Sequence, residues 1–324
     1  MRDKNLSSFA GLTGAWAEAK AFWKSMPQRA RFIDKSVNSS GNFIKGSKNC
    51  VSCWNAEKSE DSKYLFLVLE LKDSYDTTSV WHGEGLYELI AGWERLSNVR
   101  FSYGAVKGTR NIEYCDMLSN VHDSFGCVNL SNKSFCILNR QYTKEEYQEL
   151  LPRIKAHMNE MPYKDLRGRE FRYGEFFPPA LSPFGYNETI AFEYFPLDRD
   201  QALAQGFKWN DYASSHDIAP SDYEIPDDIK NVDDNITEKI LRSTKNGKVF
   251  RIIPMELAFC RRFGIPIPRE APFERHRRRV AFLSDHFRIL DRECGKCRIK
   301  VQSVYSKEEF PTVYCEACYN AEVV

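Results

Sequence analysis

A short phrase recurring between residues 42 and 139, a capping box at Thr143-Lys-Glu-Glu146 and two Cys-x-x-Cys pairs near the C-terminus together predict a mainly β protein. The expected architecture is a parallel β-helix-like solenoid with helical caps, followed by a small C-terminal metal-ribbon or treble-clef module. The phrase is a small polar residue, one or two further polar residues, then an apolar or aromatic one. It reads Ser47-Lys-Asn-Cys50, Ser62-Lys-Tyr64, Asp73-Ser-Tyr75, Thr109-Arg-Asn-Ile112, Ser119-Asn-Val121 and Asn132-Lys-Ser-Phe135, with clearer starts roughly 9 to 15 residues apart. Two phrases would then make about one coil. Ser, Asn and Asp suit corners because their side chains bond nearby backbone, while Val, Cys, Ile, Phe and Tyr would fill the inside. Residues 81–93 interrupt the pattern, and an antiparallel β-sandwich core is the competing arrangement.

The remaining elements are taken in chain order. Residues 1–41 form an N-terminal helical cap, in which Trp16, Ala19, Phe22 and Trp23 share one helical face that packs on the adjoining chain. Solenoid-like repeats occupy 42–140. A capping helix and aromatic connector fill 141–210, the helix running to about residue 160 with Tyr147, Leu150, Leu151 and Ile154 on one side, closing the solenoid's open end. The aromatics of 171–196 read as packing over that cap. Residues 211–238 carry nine acidic side chains against Lys230 alone and read as an acidic linker. Next come a basic segment, 239–290, and the ribbon, 291–324.

A formal net charge of +1, 42% hydrophobic and 28% charged residues describe an ordinary soluble chain, and no run of 18 apolar residues is present. No signal peptide is visible, so a cytoplasmic location and no membrane partner are expected. Six cysteines outside the paired motifs (Cys50, Cys53, Cys115, Cys127, Cys136 and Cys260) read as small buried hydrophobes.

The strongest chemical signal is Cys294-Gly-Lys-Cys297 with Cys315-Glu-Ala-Cys318, the pairs separated by 17 residues. A two-residue gap lets both thiolates of a pair reach one ion, which predicts one structural zinc on Cys294, Cys297, Cys315 and Cys318. Four thiolates leave no open position for water or substrate. Gly295 would relieve strain in the first turn, a hairpin would span residues 299–313, and Arg292, Lys296 and Arg298 would offset the site's charge. The densest basic cluster, Arg275, His276, Arg277, Arg278 and Arg279 with Arg261 and Arg262, could track nucleic-acid phosphates or form a solvated face balanced by the acidic segment. None of the six histidines has metal-ligand spacing. His122, Asp123 and Ser124 cannot form a triad if strand alternation holds. Glu84, Glu88, Asp116 and Asp123 could pair across coils, as in carbohydrate-acting β-helices.

Read in order, residues 139–147 (NRQYTKEEY), 173–178 (YGEFFP), 181–189 (LSPFGYNET), 206–209 (GFKW), 250–257 (FRIIPMEL) and 313–319 (VYCEACY) resemble a group of uncharacterised zinc-ribbon proteins of uncultivated small-genome bacteria, over most of the chain. Some relatives carry a CoA-transferase description, which no residue pattern here supports. The resemblance implies a further treble-clef-like finger whose ligand positions are Ser243, Asn246, Ala271 and Glu274 in this chain, so that finger is degenerate and lacks thiolates. It also implies that relatives extend upstream, making Met1 a late start or a truncation. The expected function is a non-enzymatic zinc-containing binding or scaffold protein, with nucleic acid or another anionic partner through the basic module. Alternatives are a carbohydrate-active or acyl/CoA-transferring enzyme on the solenoid face, and a structural protein–protein scaffold.

Overall fold

A computed structural model describes residues 4–165, 167–211, 219–284 and 287–323. Its centre is the expected solenoid of about nine turns, and the sandwich alternative does not form. Strands from Ile33–Asp34 through Ser134–Ile137 pair in parallel, Leu65 lying opposite Thr77 and Thr77 opposite Leu89, and the antiparallel strand Arg140–Gln141 ends the sheet. The coil is therefore shorter than the sequence suggested. One phrase of 12 residues, and not two, completes a turn.

The reason is a triplet rule. From Asn49 to Ser79 every third residue, including Ser52, Asn55, Lys58, Asp61, Tyr64 and Leu67, has a left-handed backbone with φ between 47° and 58°. Each turns the chain and sends the next side chain inward: Cys50, Cys53, Ala56, Ser59, Ser62, Leu65, Val68, Leu71, Ser74, Thr77 and Val80 are all buried. Asn and Asp tolerate this conformation, whereas Tyr64, Leu67 and Glu70 hold strain of about 1–3 kcal/mol each. At Gly41 a side chain is excluded outright, since φ is 129° and an added Cβ would lie 1.7 Å from the Cys53 carbonyl oxygen.

The polar inward residues are satisfied by the same geometry. Ser59 Oγ donates to the carbonyl of Glu57 at 3.2 Å and accepts from the amide of Leu71, in the next coil, at 3.2 Å. Ser74 repeats the pattern with Lys72 and Leu86, and Cys127 with Phe125 and Asn139. Serine thus serves inside the coil, as at Ser59, Ser62 and Ser74, as well as at turns such as Ser52 and Ser79. Aromatics expected inside, such as Tyr64 and Tyr75, stand outside instead. Outward Asn and Asp residues form ladders between coils, as in Asn38, Asn49 and Asp61, or Asn98, Asn111 and Asp123. Residues 81–93 continue the coil, Trp81 and Trp93 being register partners with rings 6.2 Å apart, although the register shifts by one residue between Trp81 and Gly83.

Around this rod sit seven α-helices among the described residues. Helix α1 (Phe9–Ser25) forms as expected, but Trp16, Phe22 and Trp23 are exposed, and its N-terminus is tied to the acidic segment through Phe9 N–H to Asp227 O at 2.8 Å. Helix α2 (Lys144–Glu160) has its capping box. It packs Tyr147, Leu150, Leu151 and Ile154 on Phe125 and Ile137, and Lys155 reaches Glu113, so its contacts lie along a flank of three successive coils. The aromatic connector packs over the same flank. Tyr114 OH donates to Glu175 O and accepts from Gly174 N–H, and Tyr173 and Phe177 meet the Tyr114 ring.

Helices α3 (Ile190–Tyr194) and α4 (Arg199–Ala204) lead to the segment expected as an acidic linker. Residues 212–218 of that segment lie outside the described residues. The rest is no linker. Ile229, Val232 and Ile236 are buried with Leu241, Phe250, Ile252, Leu257, Cys260 and Ile267 in a second core, because the acids alternate with apolar side chains that must be covered. Helix α5 (Pro254–Phe263) completes that core, α6 (Pro272–Ser284) packs against α3, and α7 (Glu316–Glu322) ends the ribbon. Phe287 packs on Trp54 and Phe66 and on Tyr194 and Phe195, joining the C-terminal part to the solenoid flank.

Ser59→Ala should cost about 1–3 kcal/mol, because the buried Leu71 amide loses its acceptor. Ser59→Cys should cost less, since cysteine fills the same role at Cys127. Urea unfolding of both variants checks the order.

Candidate metal centre

Two local turns build the cysteine site. Strand Leu290–Glu293 pairs antiparallel with Lys300–Ser303, and the chain between them folds so that Cys294 N–H donates to Ile299 O and Arg298 N–H to Cys294 O. The left-handed residue of this turn is Arg298, with φ 62°. Gly295 has a different task from the one expected. Its missing side chain lets the strand at 312–314 approach, where an added Cβ would meet Thr312 Cγ2 at 2.8 Å. Cys315 is the N-cap of α7 and brings Cys318 round on the first turn.

The four cysteines therefore lie close together and could hold one metal ion, their Sγ atoms all within 4.8 Å of one another and those of Cys297 and Cys315 3.8 Å apart. A tetrahedral ion with metal–sulfur bonds of about 2.3 Å would need sulfurs about 3.8 Å apart, so the set fits. Burial would raise the Cys294 thiol, but amide donors at Cys297, Cys315 and Lys296 outweigh it and bring it to about 6. Cys318 is pushed up to about 12 by the neighbouring Cys315 thiol. The Cys294 sulfur is thus poised as thiolate, while Cys318 resists ionising.

The expected counter-charges are mostly committed elsewhere. Arg292 donates to the carbonyls of Tyr305, Phe310 and Pro311, stitching the ribbon's long loop. Lys296 pairs with Glu322 at 2.6 Å. Outside the site, the strand Val313–Tyr314 pairs in parallel with Gln28–Arg29, Val304 N–H donates to Ala30 O, and Arg29 pairs with Glu316. The cysteine module is thereby attached to the chain just before the first coil. Between them opens a cleft of about 1270 Å³, lined among others by Arg31, Asn38, Asp291, Glu293, Arg298 and Lys300. Its walls come from opposite ends of the chain, so no local motif signals it.

The turn at residues 243–248, expected as a degenerate finger, repeats the same backbone frame without thiolates. Ser243 N–H donates to Lys248 O and Gly247 N–H to Ser243 O, with Gly247 at φ 73°, as at Cys294, Ile299 and Arg298. Ala271 and Glu274 stand at the start of α6 with the spacing of Cys315 and Cys318 at α7. In place of a metal, the buried Ser243 hydroxyl bonds the buried Glu274 carboxylate, which also accepts from Ala271 N–H at 3.3 Å.

The arginine cluster is largely engaged within the molecule. Arg261 pairs with Asp234, Arg275 with Glu256 at 2.6 Å, His276 with Glu193 at 2.6 Å and Arg278 with Glu270 at 3.3 Å. Arg262 and Arg277 lie over Phe263 and Phe192, and Arg279 is exposed.

His122 Nδ1 and Asp123 Oδ2 do meet, at 2.7 Å, because Asp123 is left-handed and breaks the alternation that would separate them. Ser124 still takes no part, being buried with its hydroxyl bonded to His122 O. Cys50 and Cys53 are buried core thiols, and Cys53 is pushed up by the adjacent Cys50 and by burial. His216 and His286 lie outside the described residues. Among the described residues the four terminal cysteines are the one cluster suited to a metal.

No protein-family model matches this chain, and no curated protein matches it significantly.

Replacing Ser243, Asn246, Ala271 and Glu274 together by cysteine should raise bound metal from one to two ions per chain, measured by elemental analysis. Unchanged stoichiometry would show that the shared frame is not a ligand frame.

Proposed function

We infer that the protein is a non-enzymatic scaffold in which one structural zinc shapes the ribbon and so holds one wall of a partner-binding cleft against the first solenoid coil. The observation that carries this is the closed set of four sulfurs within 4.8 Å, on a module hydrogen-bonded to residues 28–30. Zinc suits the four-sulfur donor set, and four protein ligands leave no position to activate water or substrate. Asp291 and Glu293 share the cleft with Arg31, Arg298 and Lys300. Charges of both signs, beside open backbone, favour a polypeptide partner over a polyanion.

A nucleic-acid partner for the arginine cluster is the second reading, supported by the density of cations on α6. The internal pairs of Arg261, Arg275 and Arg278 weigh against it.

Purified protein should contain about one zinc per chain, and chelation or Cys297→Ser should lower the thermal midpoint while leaving the far-ultraviolet signature of the solenoid in place. Metal-free protein with an unchanged midpoint would refute the zinc role. Retention on heparin, lost on neutralising Arg277 and Arg279, would favour nucleic acid over a polypeptide.

A further inference from the structure

The 12-residue coil is broken twice, and both breaks fall at one corner. After Gly92 the next inward side chain is Leu96, and Gly83 pairs with Leu96 across 13 residues. One coil later Ala105 is followed by Thr109, and Ser97 pairs with Arg110, again across 13. Beyond this the spacing returns to 12, Arg110 pairing with His122. The two extra residues stack: Gly108 N–H donates to Glu94 O at 3.1 Å, and Asn120 N–H to Lys107 O at 2.9 Å. Insertions in a repeat array collect on one face, often the binding face, because the core they leave behind is unchanged.

The widened corner encloses a cleft of about 560 Å³, lined by Arg95, Lys107, Arg110, Ser97, Ser119, Asn120 and the glycine between them. No carboxylate is among its lining residues. Glu94 stands beside it, paired with Lys107 at 3.4 Å. Arg95 and Arg110 differ from the neighbouring solenoid cations. Lys45 and Lys58 pair with Glu57 and Glu70 in the next coil, whereas neither guanidinium of the cleft has an ion pair, side-chain hydrogen bond or ring contact among the described residues. Two unpaired guanidinium forks that line one cleft with an ammonium, hydroxyls and an amide offer a donor set for a tetrahedral oxyanion. The volume suits a small molecule, and the confinement of these cations to one corner contrasts with the continuous stripe that a polymer needs.

We propose that this corner binds a phosphate group, either as free phosphate or as the phosphate ester of a small molecule. The intact chain is titrated calorimetrically at low ionic strength with inorganic phosphate and, separately, with ribose 5-phosphate. Saturable binding of at least one is expected, and the tighter of the two tells the free anion from the ester. Arg95→Asn, chosen because asparagine accepts the left-handed φ of 57° at this position, and Arg110→Gln should each weaken binding by about tenfold or more. The double variant should show none. Arg278→Gln, distant in sequence and paired with Glu270, should bind as the parent does. Should Arg95→Asn lower the thermal midpoint, Arg110→Gln is compared with Arg110→Lys, which keeps the charge but loses the fork and should recover only part of the affinity. The proposal is overturned if neither probe saturates below about 10 mM, or if the double variant binds like the parent. It is equally overturned if only a DNA oligonucleotide, and neither small phosphate, is lost on mutation.

Discussion

The structure depends on a backbone that turns left-handed at every third residue. This conformation is unfavourable for most side chains, yet it is the only way a 12-residue coil can close around so thin a core. What offsets the strain is that each turn also aims a side chain inward, where it meets those of the coils above and below. A long apolar side chain contributes burial there, and a serine or cysteine contributes two hydrogen bonds in a place no water reaches. The core is thus a stack of narrow layers in which apolar and hydrogen-bonded side chains share a coil, as Ser62 does with Leu65, Val68 and Leu71. The outward Asn and Asp ladders extend the same economy to the surface, since the residues best suited to the turn can also bond to their counterparts one coil away.

How far the sequence disclosed this depends on scale. Recurrence of the phrase revealed a parallel solenoid because Ser62-Lys-Tyr64 and Asp73-Ser-Tyr75 do lie in successive coils. It misjudged the coil by taking two phrases for one turn and by placing the serines at corners, where their side chains would bond nearby backbone. In triplets the serine of the phrase is often the inward residue itself, as at Ser47 and Ser62, and the aromatic two places on stands in solvent, as at Tyr64. Strand alternation, assumed for His122 and Asp123, separated two side chains that a left-handed Asp123 brings together. Charge composition misled in a comparable way at 219–238, where Ile229, Val232 and Ile236 outweigh the acids around them.

The candidate site was legible because its ligands are short-range. Cys294 with Cys297 and Cys315 with Cys318 each need only one turn to converge, and spacing alone encodes a turn. What spacing cannot encode is the placement of the module. The roles of Arg292 and Gly295 came from the loop at 305–312, whose path no pattern announced, and the cleft beside the ribbon is assembled from residues near Arg31 and near Lys300. The two fingers share one frame, yet one is filled by sulfur and the other by a serine and a buried carboxylate. Shape, in this pair, is a property of the backbone turn and the helix start, and the ligands are its occupants.

The parallel pairing of Gln28–Arg29 with Val313–Tyr314 also sets an order of events. A growing solenoid can add coils as it emerges, each templated by the one before, because every contact it needs is about a dozen residues away. The pairing of Gln28–Arg29 has to wait until residues 313–314 have been made. Docking of that strand is then the slowest-searching step, because its partner is the residue pair most distant in sequence of any strand pairing among the described residues.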